Sequence, residues 1–161
     1  MSQEIEIHEV SLTEFSKQPY NSVLLHKQND KGFGKILFNG FEYYFSRYKN
    51  DSISESFTLC THGDWIALAS TYEIFIFCRK HGYLLFRSQI GHDLIVDIEK
   101  IPKGFLVYSE MQVDIILKNY QAGFHVYRSI HKGELIEDVD ISEKAITVFF
   151  SDGSQHTELI Y

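Results

Sequence analysis

The sequence predicts an all-β protein: about four blade-like antiparallel units with a ~41-residue repeat, closing into a small propeller-like ring. An open curled sheet or a β-sandwich built from the same hairpins is the alternative. Three observations carry this expectation. The stretch from residue 63 to 140 is one unit written twice at a gapless offset of 41 (104 − 63 = 41). That offset pairs Gly63 with Gly104, Ile74 with Ile115, Gly82 with Gly123, Arg87 with Arg128, Ser88 with Ser129, Leu94 with Leu135, Ile95 with Ile136 and Asp97 with Asp138. Eight identities over 37 positions exceed the roughly two expected from ordinary residue usage. Next, each copy holds four strand-like runs, plainest at 94–98, 105–108, 113–117 and 124–129, with breaks at Pro102-Lys103-Gly104, at 110–112 and at Ala122-Gly123. Finally, the third runs, 73–77 and 113–117, are apolar on both faces, so the sheet needs cover on both sides.

The elements follow in order. Ile5, Ile7 and Val10 alternate with Glu6, His8 and Glu9 closely enough to make a short strand with one apolar face. Ser11 stands three residues before Glu14, a capping-box pattern over a helix of about two turns that Pro19 stops. A strand at 23–26, a polar turn at 28–31 and a Gly32-Phe33-Gly34 kink precede two strands at 35–38 and 41–47. These flank Asn39-Gly40, whose tolerance of positive φ suits a two-residue type I′ hairpin. After a polar stretch at 49–55 come the two repeats, and then a third copy at 135–139, 145–150 and 155–161 with an Asp152-Gly153 hairpin. That copy has no fourth strand, and the N-terminal strand 5–10 is expected to pair with it beside 155–161, closing the edge.

Length and composition fit a single domain, residues 1–161, with 44% apolar and 15% aromatic residues. Twenty-two acids against 15 bases give a formal charge of −7, which disfavours a nucleic-acid face and suits a basic protein partner. Cys60 and Cys78 sit in apolar runs and are expected to be buried free thiols in a cytoplasmic protein. The start carries no basic and apolar signal-peptide pattern, and no run reaches the ~18 apolar residues of a membrane span.

Eight histidines show no metal-ligand spacing, and there is no nucleophile elbow, P-loop or dinucleotide fingerprint, so neither a catalytic residue nor a cofactor is expected. Cys78 beside Arg79 and Lys80 reads as a strand-end cysteine followed by a basic turn. Arg87 and Arg128 close the fourth strands, and Asp97 and Asp138 each follow ten residues later. Repetition points to architecture, an Arg–Asp or Ser–Asp bond pinning each crossover, because a single active site needs only one copy. Glu134, Glu137, Asp138, Asp140 and Glu143 crowd ten residues, and Glu6 and Glu9 would join them if the N-terminal strand docked on the last unit. The expected function is therefore a non-enzymatic protein-binding module, most concretely an immunity-type protein that caps a basic nuclease toxin. The partner-binding residues are then Glu134, Glu137, Asp140, Glu143, Glu6 and Glu9. One alternative is a small-ligand binder or enzyme whose site includes His92, Asp93 and Asp138; another is a subunit whose strands complete a larger assembly.

Overall fold

The computed structural model describes residues 5–19, 23–25, 32–47, 57–70, 73–89, 95–121 and 123–161, and in them the strand-forming runs pair into four sheets. The expected turn at 28–31 and the stretch at 49–55 lie outside the described residues. Where one domain was expected, the chain divides into two compact units, Met1–Phe57 with Arg79–Tyr83, and Thr58–Cys78 with Leu84–Tyr161.

The first unit holds β1 (Glu6–Val10), the helix α1 (Leu12–Ser16), β2 (Val23–Leu25), β3 (Gly32–Phe38) and β4 (Phe41–Arg47) in the sheet order β1-β3-β4-β2. Ser11 caps α1 as its spacing implies, accepting the Glu14 N–H at 3.1 Å, although the helix is one turn and not two. Asn39 and Gly40 adopt φ of 53° and 81°, the left-handed pair that lets Phe38 oppose Phe41 across a two-residue turn. β2 pairs with β4 in parallel, and the other pairs are antiparallel. The turn Arg79–Tyr83 is part of this unit: the Asn39 amide donates to the carbonyls of Arg79 and Lys80, both at 2.9 Å, and the Tyr43 hydroxyl to that of Gly82 at 3.0 Å.

One expectation is overturned here. The strand at 5–10 pairs with β3, Glu6 opposite Leu37 through Val10 opposite Phe33, and not with the C-terminal unit. Two physical reasons favour this. β3 alternates buried and half-buried residues along its length and would be an uncovered apolar edge without β1. The loop closed is also roughly fivefold shorter, and each doubling of a loop costs about 0.6 kcal/mol in closure entropy.

The second unit holds three sheets. They are β5 (Phe57–His62), β6 (Trp65–Ser70), β7 (Glu73–Cys78) and β8 (Leu84–Gln89); β9 (Ile95–Ile101), β10 (Gly104–Ser109), β11 (Gln112–Asn119) and β12 (Gly123–His131); and β13 (Ile136–Ile141), β14 (Ala145–Phe150) and β15 (Gln155–Leu159). Each is an antiparallel meander in chain order, as blades are. The middle sheet is buried on both faces. Phe105, Val107 and Ile116 meet Ala67, Ile74 and Ile76 of the preceding sheet, while Leu106, Val113 and Ile115 meet Ile146, Val148 and Phe150 of the following one. That double burial explains why β11 reads as an unbroken apolar run, and β7 is likewise buried at successive positions, Ile74 to Phe77.

The strand register refines the repeat. Trp65 opposes Cys78 and Ala69 opposes Ile74, whereas Gly104 opposes Leu117 and Tyr108 opposes Val113, so β6 and β7 map onto β10 and β11 with an offset of 39 (104 − 65, 113 − 74). The fourth strands map with 42, since Ile74 opposes Ser88 and Val113 opposes Ile130 (130 − 88). Gly63 and Gly104 are thus not equivalent, and Arg87, opposite Phe75, corresponds in place to Ser129, opposite Asp114. Gly82 and Gly123 do share a role, with φ of 80° and 73° between third and fourth strands. From the second copy to the third the offset of 41 holds for the first two strands, since Tyr108 opposes Asp97 and Phe149 opposes Asp138, and becomes 42 for the third, since Gly104 opposes Leu117 and Ala145 opposes Leu159 (159 − 117).

Candidate functional site

The acidic run falls on β13 and its flanks. Glu134, Glu137, Asp138, Asp140 and Glu143 are all exposed. Glu134 accepts the Ser151 hydroxyl at 3.3 Å. Among the described residues no ion pair involves Glu137, Asp138, Asp140 or Glu143. Lys132, the nearest base before the run, lies 3.8 Å from Asp152 and over the Phe150 ring, so its charge is already partly matched. Glu6 and Glu9 are exposed on β1, in the first unit, with the Glu6 carboxylate 2.9 Å from His8. The pairing that was to merge them with the β13 acids does not form.

The repeated aspartates mark repeated β-bulges. On β9, Tyr108 opposes Asp97 and Ser109 opposes Ile95, which leaves Val96 as the extra residue; on β13, Phe149 opposes Asp138 and Phe150 opposes Ile136, which leaves Glu137. In each bulge the aspartate accepts the next backbone N–H, Ile98 at 2.8 Å and Val139 at 2.9 Å, so a donor displaced from the ladder keeps an acceptor. The expected Arg–Asp pins are therefore corrected. Arg87 pairs with Glu73 at 3.5 Å within its own sheet, and Arg128 pairs with Glu158 at 3.2 Å across to the next.

The two bulges border one groove of about 280 Å³ between the last two sheets. Its apolar lining is Val96, Tyr108, Ile136 and Val139, and its carboxylates are Glu99, Glu110, Glu137 and Asp138. The Tyr108 hydroxyl points at Glu99 at 3.0 Å and at Asp97 at 3.3 Å, and its pKa is pushed up by burial and then by Glu99. The Ile136 N–H donates to the Glu110 carbonyl at 2.8 Å and holds β13 against the preceding hairpin. Sequence reading found Glu137 and Asp138 but not Val96, Glu99, Tyr108 or Glu110. The available signal was the mismatch of Val96 against Glu137 beside a repeated aspartate, and a bulge is defined only by the partner strand.

Asp114 is a buried carboxylate, 2% exposed. It accepts from the Ser129 hydroxyl and from the Gln112 amide at 2.8 Å. Burial raises its pKa, and the two hydrogen bonds oppose the shift. Cys60 and Cys78 are free but half-buried, less enclosed than expected, and burial raises the Cys60 thiol. Of the histidines, His62 packs among Trp65 and Phe105, and His156 lies 3.3 Å from Glu158; His26, His92 and Asp93 lie outside the described residues. Among the described residues no helix is long and apolar enough to cross a membrane.

The strand pairing defines the class: an all-β protein with four sheets of three or four strands, three of them antiparallel meanders in chain order and the first in the order β1-β3-β4-β2 with a parallel β2–β4 pair. No family model and no curated protein matches the chain. Among solved structures it is similar to BamB from Moraxella catarrhalis, at 15% identity over 80% of this chain and 40% of that one, TM-score 0.41. It is also similar to the Pan2 WD40 domain of Neurospora crassa, at 11% over 78% and 43%, TM-score 0.40. A third is a catalytically inactive virginiamycin B lyase from Staphylococcus aureus with quinupristin, at 14% over 98% and 60%, TM-score 0.40. The chain spans less than two thirds of the length of each.

Proposed function

We propose that this chain is a non-enzymatic protein-binding module that presents the acidic strand β13 to a basic partner. The carrying observation is the set of five exposed carboxylates from Glu134 to Glu143, none of which has an ion-pair partner among the described residues. A formal charge of −7 adds a long-range field of the same sign. The most concrete version is a cytoplasmic immunity-type protein that caps a basic nuclease toxin, where steering speeds the encounter and the carboxylates occupy the surface that would hold nucleic acid. With the β1 pairing corrected, Glu6 and Glu9 lie on the first unit, and the partner surface is Glu134, Glu137, Asp140 and Glu143 with Asp138 on the second.

The test measures binding of basic nuclease domains and of deca-arginine to the full chain at low salt and at about 0.5 M salt, where the screening length falls below ~5 Å. Binding that weakens with salt, together with loss of nuclease activity in the complex, supports the reading. Binding of a nuclease domain without inhibition reduces it to a module for another basic protein, and no binding at low salt overturns it.

A further inference from the structure

Two consecutive sheets carry a bulge at the same point of their first strand, and both extra residues, Val96 and Glu137, line one groove. A bulge re-aims a side chain that a regular strand would direct elsewhere. Here it leaves Val96 54% exposed in a groove whose lining also carries carboxylates. Three features of the cleft select its occupant. The about 280 Å³ holds roughly nine waters at ~30 Å³ each, ample for one long side chain and too little for a helix. Among the described residues no lysine or arginine lines it and none of its four carboxylates is in an ion pair. The Tyr108 hydroxyl has one hydrogen and two carboxylate neighbours, Asp97 and Glu99, so it satisfies one and leaves the other able to accept from an incoming donor.

We propose that this groove receives a single arginine side chain of a basic protein partner, its methylenes on Val96, Ile136 and Val139 and its guanidinium against the carboxylates of Glu99, Glu110 and Glu137. The inference rests on the reading of β13 as a partner surface and gives that surface its specific contact. Arginine fits better than lysine because five donors in a planar fork can meet more than one carboxylate, and because a guanidinium is more weakly hydrated than an ammonium. The apolar lining suits the stem of such a side chain, which keeps its head among polar groups.

The experiment titrates the isotopically labelled full chain with the peptide acetyl-Gly-Arg-Gly-amide, with its citrulline counterpart of equal shape and no charge, and with deca-arginine, following backbone amide shifts. The arginine peptide should bind in the millimolar range with shifts concentrated at Val96, Tyr108, Ile136 and Val139, and the citrulline peptide should not. Val96→Lys, which places the chain's own ammonium in the cleft, and separately Glu110→Gln should each weaken the arginine peptide at least tenfold while the spectrum stays dispersed. Asp140→Lys with Glu143→Lys should weaken deca-arginine by a larger factor than the small peptide, because only the long probe extends beyond the groove. If deca-arginine binds but the small peptide shifts nothing in the groove, or shifts only residues 140–143, the arginine cleft is overturned and the acidic surface stands. If deca-arginine fails to bind at low salt, both fall.

Discussion

Two aspartates that look alike in the repeat differ in what they hold. Asp97 accepts from the Ile98 N–H and neighbours the Tyr108 hydroxyl, whereas Asp138 is exposed and, among the described residues, accepts from the Val139 N–H alone. Asp97→Ala should therefore cost about 1 kcal/mol, near the net worth of one hydrogen bond, and Asp138→Ala no more than ~0.5 kcal/mol. Urea denaturation of both variants checks the order. Asp114 gives a sharper case. Truncation to Ala removes two hydrogen bonds from donors, Gln112 and Ser129, that still reach solvent, and should cost about 1 kcal/mol. Its pH dependence has a definite sign. The fold holds the Asp114 pKa above the value of the unfolded chain, so stability is lost as pH rises through the interval between the two. Asp114→Asn should not show that loss, and the gap between the two proteins should widen with pH across the interval and then level off. A pH series of melting temperatures measures it.

Elements are fixed by whichever neighbour can cover them. β1 covers β3, so removing residues 1–10 should expose the β3 edge and abolish amide protection in the first sheet. Protection in β9 to β15 should persist, because those strands pair among themselves. Hydrogen exchange on the truncated chain separates this outcome from the loss at β15 that docking on the last sheet would produce. Gly104 shows how closely β10 and β11 approach. A Cβ there would lie 1.9 Å from the Ile116 carbonyl oxygen, a backbone atom that cannot swing aside. Gly104→Ala should destabilise by at least ~2–3 kcal/mol, at the upper end of overpacking effects. Its offset partner Gly63 sits in a turn at φ 59° with open space around it, so the two glycines are needed for different reasons.

Across the whole molecule the governing quantity is charge. Glu137→Lys with Asp140→Lys moves the formal charge from −7 to −3, two units at each of two sites, and both residues are exposed. Association with a basic partner should slow by about tenfold at low salt and converge with the parent rate as screening grows. The melting temperature should barely move, since neither side chain takes part in an ion pair among the described residues. Stopped-flow mixing over a range of ionic strength reads both the slope and its loss.

The all-β class, the two-residue turn at Asn39-Gly40, the cap at Ser11 and the three copies of the meander were legible in the sequence, because each depends on neighbours within a few residues. The doubly buried third strands were legible too, since an apolar residue on both faces states its need for cover without naming what supplies it. Tertiary structure alone decided the partners. A gapless offset of 41 concealed shifts of 39 and 42, because hairpin length is set by which residues oppose one another. The same holds for the bulges: Asp97 and Asp138 were visible as repeats, but only the opposing strand shows that Val96 and Glu137 are surplus and share a groove. β1 went to β3 for a reason no local pattern carries, namely that several apolar edges compete for one strand and the nearer one costs less chain entropy to reach.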